Sequence, residues 1–166
     1  EVLLIFTMQD NKIYPVTVEG KRMLEEELKR LLTVERPSVI QAIEVARAHG
    51  DLKENAEYAA AKEKQSFLEG RIQHINAMIT AQVIDPKTLN YSHIVFGATV
   101  ELEDSDSGQE VTYQIVGVDE ADIYKNKISI ASPIARALIG KKVGDEVKVT
   151  TPKGSTTYEI RGIEYK

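Results

Sequence analysis

Between positions 24 and 79 apolar side chains return at steps of three and four, with one interruption. That rhythm leaves few folds open. The first run is Leu24, Leu28, Leu31, Leu32, Val39, Ile43 and Ala46; the second is Ala56, Ala60, Phe67, Leu68, Ile72, Ile75 and Ile79. Such spacing lines one face of an α-helix. Thr17 is the candidate N-cap of the first helix, and Pro37 predicts a kink or loosened turn inside it. Gly50 predicts its end, because a left-handed backbone costs glycine little. A first helix over residues 19–48 is ~45 Å long at ~1.5 Å of rise per residue. Two long helices joined by a connector as short as residues 49–54 pack antiparallel. The expectation is a coiled-coil hairpin with 49-HGDLKE-54 at its far tip.

The pattern changes at Asp85-Pro86. Short β-rich runs follow at residues 94–96, 99–103, 111–116, 127–131, 147–151 and 157–163, with turn signals at 104-DSDSGQ-109 and 152-PKGS-155. Ser132 followed by Pro133 reads as an N-cap and first residue of a short helix through Leu138. The chain is therefore expected to be α+β: an N-terminal antiparallel helical hairpin over residues 11–85, then a mostly antiparallel sheet with a short helix over residues 86–166. Residues 1–10 read as an extension to which no function is assigned.

The 166 residues carry 21 Lys and Arg against 26 Asp and Glu, which argues against coating nucleic acid by charge alone. With no cysteine, thiol catalysis, Cys-type zinc sites and disulfides are all excluded. No apolar run has the length that crosses a membrane. His49, His74 and His93 lack metal-ligand spacing, Gly140-Lys141-Lys142 lacks the pattern of a phosphate loop, and no serine sits in a nucleophile motif. The acidic group Glu101, Glu103, Asp104 and Asp106 lacks the calcium-loop pattern and reads as a solvated hairpin.

The tip remains. Asp51 and Glu54 have the D-x-x-E spacing of a capping box, Asp51 accepting from the first amides of the second helix while Glu54 reaches back. Both also sit where the dipole of that helix favours negative charge. A second reading stands beside the first. Exposed carboxylates at the end of a long hairpin, with Glu57 one turn on and Arg47 beside them, suit a metal-directed tip. Mg²⁺ takes one or two carboxylates together with water or phosphate, so such a tip completes a site whose other ligands belong to a partner.

The segments 45-VARAHGDLKENAEYAAAKEKQ-65, 69-EGRI-72, 81-AQVID-85, 95-VFGATV-100, 113-YQIVGVDEAD-122 and 128-ISIASPIARALIGKKVGDEV-147 closely resemble the GreA/GreB family of bacterial transcript-cleavage factors. The resemblance covers almost everything from Asn11 to Lys166. It implies a monomeric, cytoplasmic, non-enzymatic factor whose hairpin enters the secondary channel of RNA polymerase. Asp51 and Glu54 then help to hold a catalytic Mg²⁺ shared with the polymerase, which the isolated chain does not bind tightly, and the polymerase cuts its own backtracked RNA. Arg47 matches a basic position associated with the 3′ segment of the nascent RNA, in a transcription complex that includes the DNA template. The second half resembles the FKBP-like domain of the family, with Ser132 and Pro133 in the segment that docks on the polymerase at the channel entrance. GreB members carry an aspartate just before that Ser-Pro, where this chain has Ala131.

Three rivals are set against this. A channel-plugging inhibitor of the same fold predicts an altered tip, whereas GDLKENAEY is retained. An FKBP-like prolyl isomerase predicts an aromatic-lined pocket, and the second half has one phenylalanine and no tryptophan. A coiled-coil chaperone resembling prefoldin predicts apolar residues at a tip that is charged here.

Overall fold

The computed structural model describes residues 15–51 and 55–166. Residues 1–10, expected to be an extension, and Glu54 lie outside the described residues. Contacts group the chain into two compact units: Lys21–Thr80, and a second unit in which residues 15–20 join Ala81–Lys166.

The first unit is a helical hairpin. Helix α1 (Val18–Arg30) leads through a π-helical stretch, Leu31–Glu35, into α2 (Arg36–Ala48), and α3 (Ala56–Ile79) runs back alongside. The widened stretch ends where Pro37 begins to act. Proline offers no amide hydrogen and crowds the carbonyl four residues earlier, here Thr33, so the regular ladder opens just before it. The packing is antiparallel: Arg36 bonds Glu69 through two contacts of 2.8 and 2.9 Å, and Arg71 bonds Glu27 through two of 2.8 Å.

Leu31, Val39, Ile43 and Ala46 are buried along one side of the seam, with Ala61, Leu68, Ile72, Ile75 and Met78 on the other. Four residues expected in the seam face outward, Ala56 and Ala60 among them. Phe67 is 73% exposed and Leu32 38%. Neighbours on a helix are turned by about 100°, so Leu68 and Phe67 cannot both face α2. Met78 and Ala61 hold positions the periodicity had given to Ile79 and Ala60.

The second unit is built on a five-stranded sheet. Strands β3 (Thr99–Asp104), β4 (Glu110–Val116), β5 (Lys127–Ser129), β6 (Glu146–Thr151) and β7 (Gly154–Glu164) lie in the order β5-β4-β3-β7-β6. All neighbouring pairs are antiparallel except β4 with β5. The fold is thus α+β, as expected. Phe96, Leu102, Ile115 and Ile160 fill the core together with Ala135 and Leu138 of the short helix α4 (Pro133–Leu138). Ser132 caps α4, its hydroxyl accepting from the Ala135 amide at 3.3 Å, and Pro133 holds the first helical position.

Residues 94–96, expected as a strand, are not one. All three are buried in succession rather than alternately, and Ile94 exchanges 2.8 Å bonds with the Lys141 carbonyl and the Gly140 amide outside any ladder. The structure also adds a pairing that the sequence did not reveal: β1 (Val16–Thr17) lies parallel to β2 (Val83–Ile84). Each strand has two residues, too few to display a period.

Thr17 does cap α1, accepting from the Gly20 amide at 3.0 Å. Its own amide donates to Glu120 at 2.7 Å, and its hydroxyl donates to the other oxygen of the same carboxylate. Glu120 is buried there. A buried carboxylate is tolerated because both oxygens are satisfied and the helix start is electropositive. Gly20 is glycine for steric reasons, since a Cβ on it would stand 2.0 Å from the Glu120 carboxyl carbon.

Candidate functional site: the hairpin tip

Helix α2 ends at Ala48, and His49 takes the C-cap with its amide donating to the Ala46 carbonyl at 3.2 Å. Gly50 follows at φ +110°. No neighbour crowds that position, so glycine is favoured there by backbone conformation rather than by space. Asp51 comes next and is exposed.

The cap of α3 is Asn55, not Asp51. Asn55 has extended backbone, φ −81° and ψ 101°, and its side-chain oxygen accepts from the Tyr58 amide at 3.0 Å. Its side-chain nitrogen donates to the Ala46 carbonyl at 2.7 Å. The capping-box expectation for Asp51 is therefore overturned: Asp51 lies four residues before the N-cap position, which Asn55 fills. One amide group serves both helix ends at once, which a carboxylate, having no donor, does not do. The signal was present in the sequence. Asparagine immediately before the alanine-rich run is as good a cap as aspartate.

Arg47 and Glu57 are exposed on either side of the turn, Glu57 in the first turn of α3. The Arg47 guanidinium carbon lies 6.0 Å from the centre of the Tyr58 ring, within range of a cation–π contact. The tip thus brings Asp51, Arg47, Tyr58 and Glu57 to one end of the hairpin.

The other predicted segment lies in the sheet-bearing unit. The Ser132 hydroxyl donates to the Ser129 carbonyl at 2.7 Å, and the Ala131 amide donates to the Ser129 hydroxyl at 3.0 Å. These bonds fix a tight bend that leaves Pro133 exposed. The serine therefore shapes the loop, and the proline ring is what the loop offers outward.

Elsewhere in this unit the acidic group near residue 104 is engaged internally. Asp104 accepts from the Asp106 and Ser107 amides, which hold its carboxyl below the ordinary range for aspartate. Glu103 accepts from Arg161 at 2.6 Å. A cleft of about 310 Å³ is lined by Glu19, Asp85, Lys87, Lys127 and Lys166 among others, with no aromatic side chain. Among the described residues no three His, Cys, Asp or Glu side chains form a group that holds a metal ion, and no helix is long and apolar enough to cross a membrane.

The sequence matches the family model for the transcription elongation factor N-terminal region over residues 14–84, and the one for the GreA/GreB C-terminal region over residues 89–165. The chain belongs to the GreA/GreB family. It is 61% identical to transcription elongation factor GreA of Alkalilimnicola ehrlichii over 153 residues, covering 91% of this chain and 97% of that protein. To GreA of Acinetobacter baumannii it is 58% identical over 154 residues, covering 92% and 98%. The solved structure of GreA factor homolog 1 (Gfh1) of Thermus thermophilus is 28% identical, covers 92% of this chain and 99% of that one, and has a TM-score of 0.41. The matched regions of the GreA/GreB family thus take in both the tip and the Ser132-Pro133 bend.

Proposed function

We propose that this transcription elongation factor binds RNA polymerase, passes its hairpin into the secondary channel, and stimulates the polymerase to cut backtracked nascent RNA. The chain performs no reaction alone; it works as a cofactor where the polymerase works, in the cytoplasm and as a monomer. The observation that carries this reading is the division of labour at the tip. Asn55 starts α3, so the helix does not need Asp51 as its cap, and an exposed carboxylate stands at the end of the hairpin.

The donor set fits Mg²⁺ only in part. Asp51, with Glu54 from the sequence, offers hard oxygen ligands. Two carboxylates leave most of the octahedral positions of Mg²⁺ to water, phosphate or a partner's ligands. When bound, the ion supplies Lewis acidity and a more acidic water for phosphodiester hydrolysis. Asp51 supplies negative charge at the tip, and Arg47 offers a forked donor to a phosphate of the RNA 3′ segment. The sheet-bearing unit docks at the channel entrance through the bend at Ser132 and Pro133. With Ala131 in place of an acid before the Ser-Pro, that contact is made by shape and by the exposed proline rather than by a carboxylate.

The test is Asp51→Asn combined with Glu54→Gln, which removes charge while conserving size. Cleavage is measured in stalled, backtracked complexes with Mg²⁺, after circular dichroism has verified folding. Loss of stimulation with folding and polymerase binding intact supports the reading. Stimulation equal to that of the parent chain would overturn it.

A further inference from the structure

The closed set of contacts at the tip has a consequence for Arg47. The Ala46 carbonyl accepts from Asn55, the Asn55 oxygen accepts from the Tyr58 amide, and the Tyr58 ring lies under the guanidinium of Arg47, which follows Ala46 in the chain. Four residues thus tie the end of α2 to the start of α3 in a ring of interactions. Tyr58 is only half-buried, and the buried seam residues nearest the tip are the alanines Ala46 and Ala61. An aromatic side chain is more than that seam requires.

We propose that Tyr58 is a positioning residue for Arg47, holding its guanidinium ready for the RNA phosphate, with Asn55 holding Tyr58 in register. This rests on the RNA-contacting role given to Arg47 above. An exposed arginine on the last turn of a helix samples many rotamers, and ordering it on binding costs entropy. The negative face of the tyrosine ring attracts the flat guanidinium and narrows that choice beforehand. A guanidinium held over the ring face keeps its forked N–H donors for a contact with phosphate. Asn55 contributes by fixing the backbone on both sides. Were its amide lost, the Tyr58 amide and the Ala46 carbonyl would both lose a partner, and the ring would no longer be held beneath Arg47.

The decisive experiment uses the full-length factor with backtracked polymerase complexes. Tyr58→Leu is expected to lower the cleavage rate at saturating factor about two- to five-fold, the factor set by an exposed cation–π contact. The factor concentration giving half-maximal stimulation is expected to stay unchanged, because docking lies elsewhere. Tyr58→Phe keeps the ring and is expected to retain the parent rate. In an Arg47→Ala background, Tyr58→Leu should cause no further loss. Should the leucine variant fail to fold, fluorinated phenylalanines at position 58 keep the shape while draining negative charge from the ring face. The rate should then fall stepwise with fluorination.

Other results separate the possibilities. Equal losses from Tyr58→Leu with and without Arg47 would make Tyr58 a packing residue and overturn the inference. So would a flat fluorination series, or a Tyr58→Leu variant as fast as the parent, while Arg47→Ala is slow. An Arg47→Ala variant as fast as the parent would remove the RNA-contacting role of Arg47, and the inference with it. The proposed cleavage function would then still stand or fall on Asp51 and Glu54 alone.

Discussion

The hairpin and the sheet-bearing unit solve the problem of burial in different ways. In the sheet-bearing unit a closed core surrounds Phe96, Leu102, Ile115 and Ile160, with α4 against it. Each of those side chains is enclosed on every side. The hairpin has only a line of apolar residues between two helices, edged by the ion pairs Arg36–Glu69 and Arg71–Glu27, so solvent is never more than one side chain away. What the hairpin gives up in burial it gains in reach, since its residues go into length. Its stability should accordingly be spread thinly over many contacts, whereas that of the sheet-bearing unit is concentrated in a few.

The largest expected effect tests that concentration. Phe96→Ala should destabilise the sheet-bearing unit by about 3–5 kcal/mol, through lost burial and the cavity left behind. Hydrogen exchange should quicken at the amides of β3, β4 and β7. Equal quickening along α2 and α3 would break the distinction between the two regions. In the hairpin, Ile43→Ala should cost about 2 kcal/mol, the low end for such a truncation, because a two-helix seam open to water collapses readily. Chemical denaturation followed by helix content checks it, and a cost equal to that of Phe96→Ala would again erase the contrast.

A smaller effect belongs to Tyr165, whose hydroxyl donates to the His93 carbonyl at 2.6 Å and accepts from the Val95 amide at 3.0 Å. Tyr165→Phe leaves that buried amide without its acceptor and should cost about 1–2 kcal/mol in thermal or urea unfolding. The phenol also titrates above its ordinary value of 10.0, chiefly through burial, with the Val95 bond opposing and Tyr91 adding to the rise. A raised pKa means that folding favours the protonated form. The contribution is complete below pH 10 and is lost as pH rises through the folded value. The parent chain should therefore lose stability in alkali more steeply than the phenylalanine variant, and parallel alkaline profiles would sink that account.

Next comes the tip. Asn55→Ala removes the cap of α3 and should cost about 1 kcal/mol. The loss should be read as faster exchange in the first turn of α3, with the sheet strands unchanged. Smallest of all, Arg36→Ala breaks a half-exposed ion pair, and its slight cost in stability should shrink as salt is added. A large, salt-independent cost would show that the seam depends on its ion pairs more than on Val39, Ile43 and Ile72.

The chain's own residues determined much of this architecture because the rules concerned act over short stretches. A three-to-four periodicity makes an amphipathic helix wherever it occurs. Gly50 ends one, Ser132-Pro133 starts another, and the turns at residues 104–109 and 152–155 follow from the residues within them. Pro37 likewise announced the disturbed turn just before it. The position of Asp51 at an exposed bend also followed, since it depended only on where two helices stop and start.

What the sequence left open lies in choices between near-equal local options or in contacts between distant segments. Phe67 and Leu68 compete for the same seam, and only the packed partner helix turns one inward. Asp51 and Asn55 are equally able caps, and the bond from Asn55 back to Ala46 decides between them. No local rule joins Thr17 to Glu120, 103 residues away, or explains that Gly20 is small because a carboxylate needs its space. Such contacts exist only once the chain has folded around them. Tertiary structure therefore decided which of several locally acceptable side chains caps, clamps or faces the solvent.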